Sequence, residues 1–481
     1  MPEGTAVDAE RRAPGREREG TGRAAREPRA GQPAREAHQA RLARVVASLR
    51  GDGAGQAAPL GLSKRTSNLF RDRAAGPKRR LDLDEFTHVL DIDPAAGWVD
   101  VEGTIRYESL VDATLPHGVM PAVVPQLKTI TVGGAVAGVA IEATSFRQGL
   151  VHDTLIDFDV LLPDGSVVAC APDNAHDDLF FGFPNSYGTL GYAVRLKLKT
   201  IPVRPFVRVE HRRHAGQRAF FDDLARQCDG DADFVDGVVF SGTDLVLSAG
   251  RFVGEAPWTS DYGFERIYWR SLRERETDYL GVHDYLWRWD TDWFWCSRSL
   301  GAQNPVVRRL LGRKRLNSRF YTRVMRANAR LGITRALARL RGRFTESVIQ
   351  DVDIPLDRAA GFLDFLLREI GILPVWICPI RPAEGGRRFT LYPLEPGLRY
   401  VNFGFWDVVE TGSPREAGHF NRLVEREVMR LGGIKSLYSD SFFTPEAFAR
   451  AYSMPAYAAL KARYDPDGRM LGLYEKCVLR A

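Results

Sequence analysis

The residues best suited to chemistry form a glycine-rich segment, Thr131–Gly138, with Gly133 and Gly134 near its start. Glycine lets backbone N–H groups approach an anion closely, because no Cβ intervenes and a positive φ is cheap. Successive N–H groups at the start of a helix can bind a pyrophosphate. The spacing is neither a Rossmann fingerprint nor a P-loop. A small-residue helix packed against a sheet is the competing interpretation.

Two loops of small and polar residues supply further candidates. The first follows the glycine-rich segment and precedes a hydrophobic strand, and the second spans Pro184–Gly191. Their candidate binding residues are Glu142, Ser145, Gly149, His152, Asp153, Gly188 and Thr189. For His152 the competing interpretation is a hydrogen-bonded loop residue with no chemical role.

Composition limits the class of protein. The chain has 481 residues, a net charge of +6 and 44% hydrophobic residues, which allows a large core in two or three domains. Its five cysteines are scattered and never form a C-x-x-C pair, so we expect no disulfide framework and no metal site. No apolar run is long enough for a transmembrane helix, and the N-terminus lacks a signal peptide's apolar region. These features predict a cytoplasmic protein.

The elements that position the candidate residues divide the chain into four regions. Residues 1–44 are rich in Arg and Ala, and they predict a disordered tail or an over-extended reading frame. Residues 45–204 are mostly β, residues 205–430 resemble a second, α+β domain, and residues 431–481 form a C-terminal segment of helices and loops. The predicted fold class is therefore α+β.

Local patterns predict individual elements. Tyr107–Leu115 has helical spacing and precedes a glycine, and Gly165 lies in the turn of a hairpin. Ile354–Ile370 also has helical spacing. Trp376–Pro379 and Tyr400–Trp406 are typical of buried strands, whose aromatic residues favour a core over a substrate tunnel.

A basic segment, residues 301–345, contains twelve Arg and Lys314 but no Asp or Glu. Its basic residues recur at about helical spacing between apolar ones, as in an amphipathic element that binds an anionic bilayer. Each basic residue near such a surface contributes about 1 kcal/mol. A solvated Arg-rich face is the competing interpretation. Nucleic-acid binding is not favoured, because no recognisable module accompanies the charge.

Several motifs occur in the same order as in a known group of flavoenzymes. The matching segments are Thr131–Asp153, Pro163–Gly165, Gly188–Gly191, Val352–Pro355, Pro374–Pro379 and Lys435–Asp440. They resemble FAD-binding oxidoreductases of the vanillyl-alcohol oxidase superfold, and within it the delta-24 sterol reductase group. The resemblance covers roughly residues 60–480, and it implies a PCMH-type FAD-binding domain plus an α+β cap that binds substrate.

A narrower resemblance rests on three segments, Thr66–Arg71, Pro125–Thr129 and Glu142–Arg147. They are similar to actinobacterial methylene-fatty-acyl reductases of tuberculostearic (10-methylstearic) acid synthesis. This resemblance implies reduction of a mid-chain methylene group on a phospholipid acyl chain, after a methyltransferase has installed it. It also implies a lipid acyl substrate and a partner methyltransferase.

The resemblance implies positions for the cofactor. Many members of the superfold carry a histidine that bonds covalently to the flavin, whereas this chain has Thr66, Ser67 and Asn68 there, which implies non-covalent FAD. The residues expected along the pyrophosphate are Thr131, Gly133, Gly134 and Gly138. Those expected to border the ribityl chain and the isoalloxazine are Glu142, Ser145, Gly149, His152 and Asp153.

The implied reaction passes a hydride from NADPH to the flavin and then to an alkene carbon, and the protein supplies a proton. Tyr438 and Lys435 are the candidate proton donors. A lysine beside the phenol would lower the pKa of Tyr438 and favour transfer. The competing interpretation makes Tyr438 a buried aromatic with a hydrogen-bonded hydroxyl and Lys435 a solvated charge.

Three other functions remain open on the sequence. One is a sterol-type alkene reductase, and another is an FAD-dependent alcohol or sugar dehydrogenase or oxidase. The third is a non-catalytic subunit that docks on a lipid surface or on a methyltransferase. The basic segment also makes peripheral contact with the inner face of the plasma membrane an expectation.

Overall fold

The computed structural model describes residues 31–51, 58–64, 70–71, 76–331, 340–383 and 386–480. Thr66, Ser67 and Asn68 lie outside these residues, so the loop predicted to replace the covalent histidine is not part of the description. The same holds for residues 1–30 of the predicted tail.

The strands are β1 Leu60–Ser63, β2 Arg79–Asp82, β3 Val89–Asp93, β4 Trp98–Glu102, β5 Val119–Pro121, β6 Leu155–Leu161, β7 Val167–Cys170, β8 Tyr192–Pro202, β9 Phe206–His214, β10 Phe234–Ser241, β11 Asp244–Val253, β12 Thr277–Gly281, β13 Phe344–Pro355, β14 Val375–Ile380, β15 Tyr400–Thr411 and β16 Ile434–Lys435. A small sheet has the order β3-β4-β8-β6-β7, with β5 also paired to β8. A large sheet has the order β12-β9-β11-β10-β14-β15-β13-β16. Strands β1 and β2 form a parallel pair.

The α-helices are α1 Gln32–Gly51, α2 Tyr107–Thr114, α3 Val132–Gly138, α4 Ser145–Gln148, α5 Asp177–Gly182, α6 Gln217–Asp229, α7 Tyr268–Ser271, α8 Val282–Leu286, α9 Pro305–Leu311, α10 Ser318–Leu331, α11 Ala359–Phe365, α12 His419–Arg430, α13 Pro445–Ala451, α14 Met454–Tyr464 and α15 Leu473–Cys477. Short 3₁₀ segments are Leu115–His117, Val151–Thr154, Cys296–Leu300, Arg313–Arg315 and Leu356–Arg358, and Leu366–Ile370 is a π-helical turn. Mixed helices and sheets confirm the α+β class.

Local turn chemistry places several elements where the sequence predicts them. Strands β6 and β7 pair antiparallel around a turn in which Gly165 has φ +83°. Helix α2 ends in a 3₁₀ turn closed by Gly118 at φ +73°. A left-handed residue of this kind is a common helix end, and glycine adopts it without a Cβ penalty.

The predicted helix Ile354–Ile370 begins later than its spacing indicates. Ile354 and Pro355 belong to β13, where Pro355 pairs with Tyr400 of β15, and α11 begins only at Ala359. Pairing between neighbouring strands of the large sheet therefore overrides the helical pattern at this end.

The predicted disordered tail is too long, because α1 begins at Gln32. Helix α1 buries His38 and Leu42 and pairs Arg41 with Glu102 of β4. Glu102 is fully buried, and its carboxylate accepts hydrogen bonds from His38 at 2.9 Å and from Arg41 at 2.7 Å. Ion pairing with a distant strand thus orders a stretch whose composition alone indicates disorder.

Glu102 anchors this helix at neutral pH. Burial raises the pKa of Glu102, but hydrogen bonds from His38, Arg41 and His88 outweigh it and lower the pKa to about 2. A carboxyl whose folded pKa is depressed contributes stability above its unfolded pKa, and this stability is lost as the pH falls towards 2.

We expect Glu102→Gln to reduce the free energy of unfolding by roughly 2–3 kcal/mol at pH 7. Chemical denaturation measures this difference, which should shrink between pH 5 and pH 2. Glu85→Gln is the matched control, because Glu85 is exposed and pairs with exposed Arg44. Equal stability of the two variants would contradict the anchoring role.

Candidate functional site

A cavity of about 1670 Å³ lies between the two sheets. Its small-sheet wall is the glycine-rich segment, its large-sheet wall is β13 to β15, and the segment after β16 closes it. The predicted site residues that line it are Thr131, Gly133, Gly134, Gly138, Gly188 and Tyr438. The two halves of the chain therefore share one chamber.

The glycines allow the small-sheet wall to pack closely. A Cβ on Gly133 would lie 2.8 Å from the carbonyl oxygen of Gly103, and one on Gly134 would lie 2.7 Å from Thr131 Oγ1. The Gly133 N–H donates to Gly103 O at 2.8 Å, and the Gly134 N–H donates to Thr131 Oγ1 at 3.3 Å. These donors are used within the protein, which corrects the expectation of a row of N–H groups open to an anion. The segment is a close-packed helix and a cavity wall at once.

Cationic side chains surround this end of the cavity instead. Lys64 Nζ donates to Thr131 Oγ1 at 3.0 Å, and Lys476 Nζ donates to Gly188 O at 3.2 Å. Arg71 also lines the cavity and lies over the ring of Tyr187 at 4.8 Å. Lysine and arginine are the usual partners of phosphate groups in proteins, so this end fits a pyrophosphate.

Gln126 gives a second sign of a polar ligand. It lines the cavity, and both of its side-chain polar atoms are buried without a protein partner. A buried amide without partners is costly, and a ligand that both donates and accepts hydrogen bonds would remove the cost. The residues present therefore fit FAD. Gln126 lies in the segment Pro125–Thr129 of the narrower resemblance, whereas no local motif marks Lys476, which comes from a distant part of the chain.

The other predicted flavin contacts lie away from this cavity. His152 and Asp153 were expected beside the flavin, but they line a second cavity of about 180 Å³ next to Phe389 and Tyr392. The 3₁₀ turn Val151–Thr154 faces that side. Burial lowers the pKa of His152 to about 3 and raises that of Asp153 to about 7.

The remaining predicted contacts are held by hydrogen bonds. Ser145 Oγ accepts from the Glu142 N–H at 3.1 Å, and Glu142 pairs with Arg288. Gly149 has φ +73° and leaves room for the Asp153 carboxylate. Thr189 Oγ1 donates to Ser186 O. None of these four predicted residues, Glu142, Ser145, Gly149 and Thr189, is among the described residues that line the large cavity.

Tyr438 and Lys435 are separated by the structure. Tyr438 lines the cavity and accepts a hydrogen bond from Trp406 Nε1 at 2.8 Å. Lys435 is fully buried, and its Nζ donates to Glu425 Oε1 at 2.8 Å and to Ser441 Oγ at 3.1 Å. Burial and the charge of Asp351 raise the pKa of Tyr438 well above its ordinary value. The expected lowering by Lys435 is therefore wrong, since its charge is taken up by Glu425.

Part of the cavity wall is aromatic. Trp376 and Trp406 line it, together with Trp293 and Phe294. Phe403 and Phe405 are instead fully buried in the core. Successive side chains of a strand point to opposite faces, which separates Trp406 from Phe405 on β15.

Among the described residues, no group of three or more His, Cys, Asp or Glu side chains could hold a metal ion. Within the same residues, no helix has both the length and the apolar character to cross a membrane.

Comparison with known proteins supports the FAD fit. Residues 65–171 match the family described as an FAD binding domain. The chain is 25% identical over 439 residues to the Delta(24)-sterol reductase of Pisum sativum, which covers 82% of this chain and 76% of that protein. It is also 25% identical to the enzymes of that name from Arabidopsis thaliana, over 448 residues, and Homo sapiens, over 417 residues. These cover 82% and 81% of this chain and 76% and 75% of the relatives. A PCMH-type FAD-binding domain is thereby confirmed.

We expect Gly133→Ala to weaken FAD binding. The new methyl group would press on the Gly103 carbonyl, and overpacking of this kind costs roughly 1–3 kcal/mol. The affinity should fall roughly tenfold or more, as measured by flavin absorbance per protein after dialysis. Gly361→Ala is the control, because no atom lies within 4 Å of the added methyl. Unchanged flavin content in Gly133→Ala would contradict the packing role.

Proposed function

We propose that this chain, an FAD-dependent oxidoreductase, reduces a carbon–carbon double bond in a lipid with NADPH as the hydride source. The observation that carries the proposal is the single cavity, which is lined both by the glycine-rich segment with basic side chains and by a group of aromatic side chains. When bound, FAD supplies the hydride transfer. The relatives named as Delta(24)-sterol reductases favour an alkene as the acceptor.

The chain's own residues would orient the two partners. Lys64, Arg71 and Lys476 would hold the pyrophosphate at one end. The apolar wall of Phe294, Trp376 and Trp406 would exclude water around the double bond. The sequence has Thr66, Ser67 and Asn68 where many members of the superfold carry the bonding histidine, which supports non-covalent FAD.

A methylene-branched fatty acyl chain of a phospholipid is the substrate we propose, and its product is the methyl-branched chain. Apolar residues on α10 and β13, including Val324, Met325 and Phe344, also line the cavity and would suit a flexible chain. A methyltransferase would have to install the methylene group beforehand and is the proposed partner. A sterol-type alkene is the second candidate, favoured by the names of the relatives.

Purified, FAD-loaded protein should lose its yellow colour when NADPH is added without oxygen. Addition of a methylene-branched phospholipid should then restore the flavin absorbance, because the double bond accepts the electrons. Recovery with a Δ24 sterol alone would favour the second candidate. Protein that cannot be loaded with FAD, or that NADPH does not bleach, would contradict the proposed reaction.

We also propose that the protein is cytoplasmic and contacts an anionic membrane at α9. The basic segment is not one helix: α9, a 3₁₀ turn and α10 follow each other, and Arg308 points inward to pair with Asp292. The opposite face of α9 exposes Val306 by 66% and Leu310 by 76%.

Charge supports this contact. Lys314 and Arg315 are exposed just beyond α9, so basic residues flank the two apolar side chains. The preceding segment, Cys296–Leu300, contributes to the cavity wall, so a docked membrane would lie beside the proposed acyl site. Arg309 and Arg313 are partly neutralised by Glu265 and Asp261.

Leu310→Ser should weaken flotation with vesicles that contain anionic phospholipid by roughly tenfold, because a buried leucine is worth about 1.5–3 kcal/mol. Leu398→Ser is the control, since Leu398 is also exposed but lies outside α9. Binding should fall with added salt. Equal flotation of both variants, or binding to neutral vesicles alone, would exclude this surface.

A further inference from the structure

Asp351 is a carboxyl group in the wall of the cavity that the reaction above leaves without a role. It lies on β13, where alternate residues Ser347, Ile349 and Asp351 line the cavity. Its Oδ1 is buried and has no hydrogen-bond partner. Across the ladder stands Gly404, and a Cβ there would lie 2.7 Å from that oxygen. A glycine therefore leaves the space that the carboxyl occupies.

The carboxyl is coupled directly to the Tyr438 hydroxyl. Asp351 and Tyr438 both line the cavity, and their side chains interact electrostatically. Trp406 Nε1 donates to the phenol oxygen of Tyr438 at 2.8 Å. The segment with Tyr438 is tied to β13 by the backbone, since the Ser436 N–H donates to Asp351 O at 3.1 Å. Both residues therefore face the cavity from one wall, where their side chains interact.

Asp351 is a stronger acid than Tyr438 in these surroundings. Burial raises the pKa of Asp351 to about 7, with the charge of Asp353 adding to the effect and the phenol of Tyr438 opposing it. The pKa of Tyr438 lies well above its ordinary value because of burial and the charge of Asp351. A phenol of this kind is a poor acid by itself, whereas a carboxylic acid with a pKa near neutral suits general acid catalysis.

We propose that Asp351 is the proton source for reduction of the double bond, and that Tyr438 passes the proton from it to the substrate. This inference rests on the alkene reduction proposed above and deepens it. Tyr438 touches the substrate and is the catalytic residue, and Asp351 acts through it.

In the proposed step, the Tyr438 O–H bond breaks as a C–H bond forms at one alkene carbon, while the other carbon receives the hydride that NADPH supplies through the bound cofactor. At the same time the Asp351 carboxyl proton moves to the phenol oxygen. The alkene gains one proton and one hydride, and the Asp351 carboxylate takes a new proton from water before the next turnover.

The charged surroundings of Asp351 support one direction of pH dependence. Asp353 lies on the same strand, and Tyr438 and Tyr187 lie on the facing segments. From the neighbouring strand β16, Lys435 is held by Glu425 of α12. Strand β15 contributes Gly404 and Trp406, which do not titrate. The acid form of Asp351 therefore predominates below about pH 7, and proton delivery should fall above it.

The first test needs no substrate. In the FAD-loaded protein, carbon-13 NMR of labelled aspartate side chains should show one resonance that is missing from Asp351→Asn and titrates at about pH 7. In Tyr438→Phe its midpoint should move to higher pH, because the phenol that favours the carboxylate is gone. A midpoint near the ordinary value of about 4 would overturn the proposal.

The second test measures each half of the reaction. At pH 6, Asp351→Asn should slow reoxidation of the NADPH-bleached enzyme by the lipid alkene at least roughly a hundredfold. Bleaching by NADPH should keep its normal rate, and the fall in rate above pH 7 should disappear. Asp351→Glu should restore part of the rate. Asp244→Asn, which removes a partly exposed carboxylate elsewhere in the large sheet, should behave as the unaltered protein.

The outcomes separate the two proposals. Full reoxidation in Asp351→Asn, or an unchanged pH profile, would overturn the role of Asp351 while leaving alkene reduction intact. An unaltered protein that NADPH does not bleach would contradict the proposed function, whereas the NMR titration would still decide whether Asp351 is a neutral acid at pH 6.

Discussion

The buried guanidinium of Arg288 is the interaction on which the cavity depends. It binds Glu142, which follows α3, at 3.0 Å and Asp236 of β10 at 2.8 Å. One cation thereby ties the glycine-rich wall to the large sheet. Breaking such a buried group by removing one partner typically costs about 3–5 kcal/mol, since the remaining charge stays uncompensated. Trp376 Nε1 also donates to Asp236, so an aromatic wall residue is fixed by the same group.

Glu142 and Asp236 both bind the guanidinium of Arg288, and the pKa of Glu142 is shifted in this cluster. Burial raises the pKa of Glu142 to about 7, and Arg288 only partly opposes the effect. Burial thus favours the neutral form of the Glu142 carboxyl beside Arg288. Burial has the same effect at Asp351, although there the neighbouring group is a phenol and the group faces a cavity. Burial of a carboxyl group therefore accompanies a structural contact at Glu142 and a candidate proton donor at Asp351.

Strand β13 places side chains in the cavity wall and pairs with β16. Its residues Ser347, Ile349 and Asp351 face the cavity, and Val348 and Val352 face the core of the large sheet. Because β16 pairs with β13, the segment that follows it must bring Tyr438 to the same wall. Farther along the chain, α15 returns Lys476 to the glycine-rich end, where it contacts Gly188. The C-terminal segment therefore contributes to both ends of one chamber.

Residue order alone predicts the features that depend on neighbouring residues: the hairpin at Gly165, the end of α2 at Gly118, the alternating strands and the position of the glycine-rich segment. These follow from backbone geometry over a few residues. The family resemblance is also visible in the sequence, because the order of motifs along the chain can be compared without a structure. Which distant groups meet, by contrast, follows from the packing of the whole chain. In the folded chain, His152 and Asp153 line a second cavity, and Lys435 forms an ion pair with Glu425. Asp351 and Tyr438 face the large cavity together. Gly133 packs against Gly103, and the N–H groups of Gly133 and Gly134 already donate hydrogen bonds within the protein. Such outcomes depend on strand pairing, on burial and on the cost of an unpaired charge, and none of these is a property of a short stretch of chain.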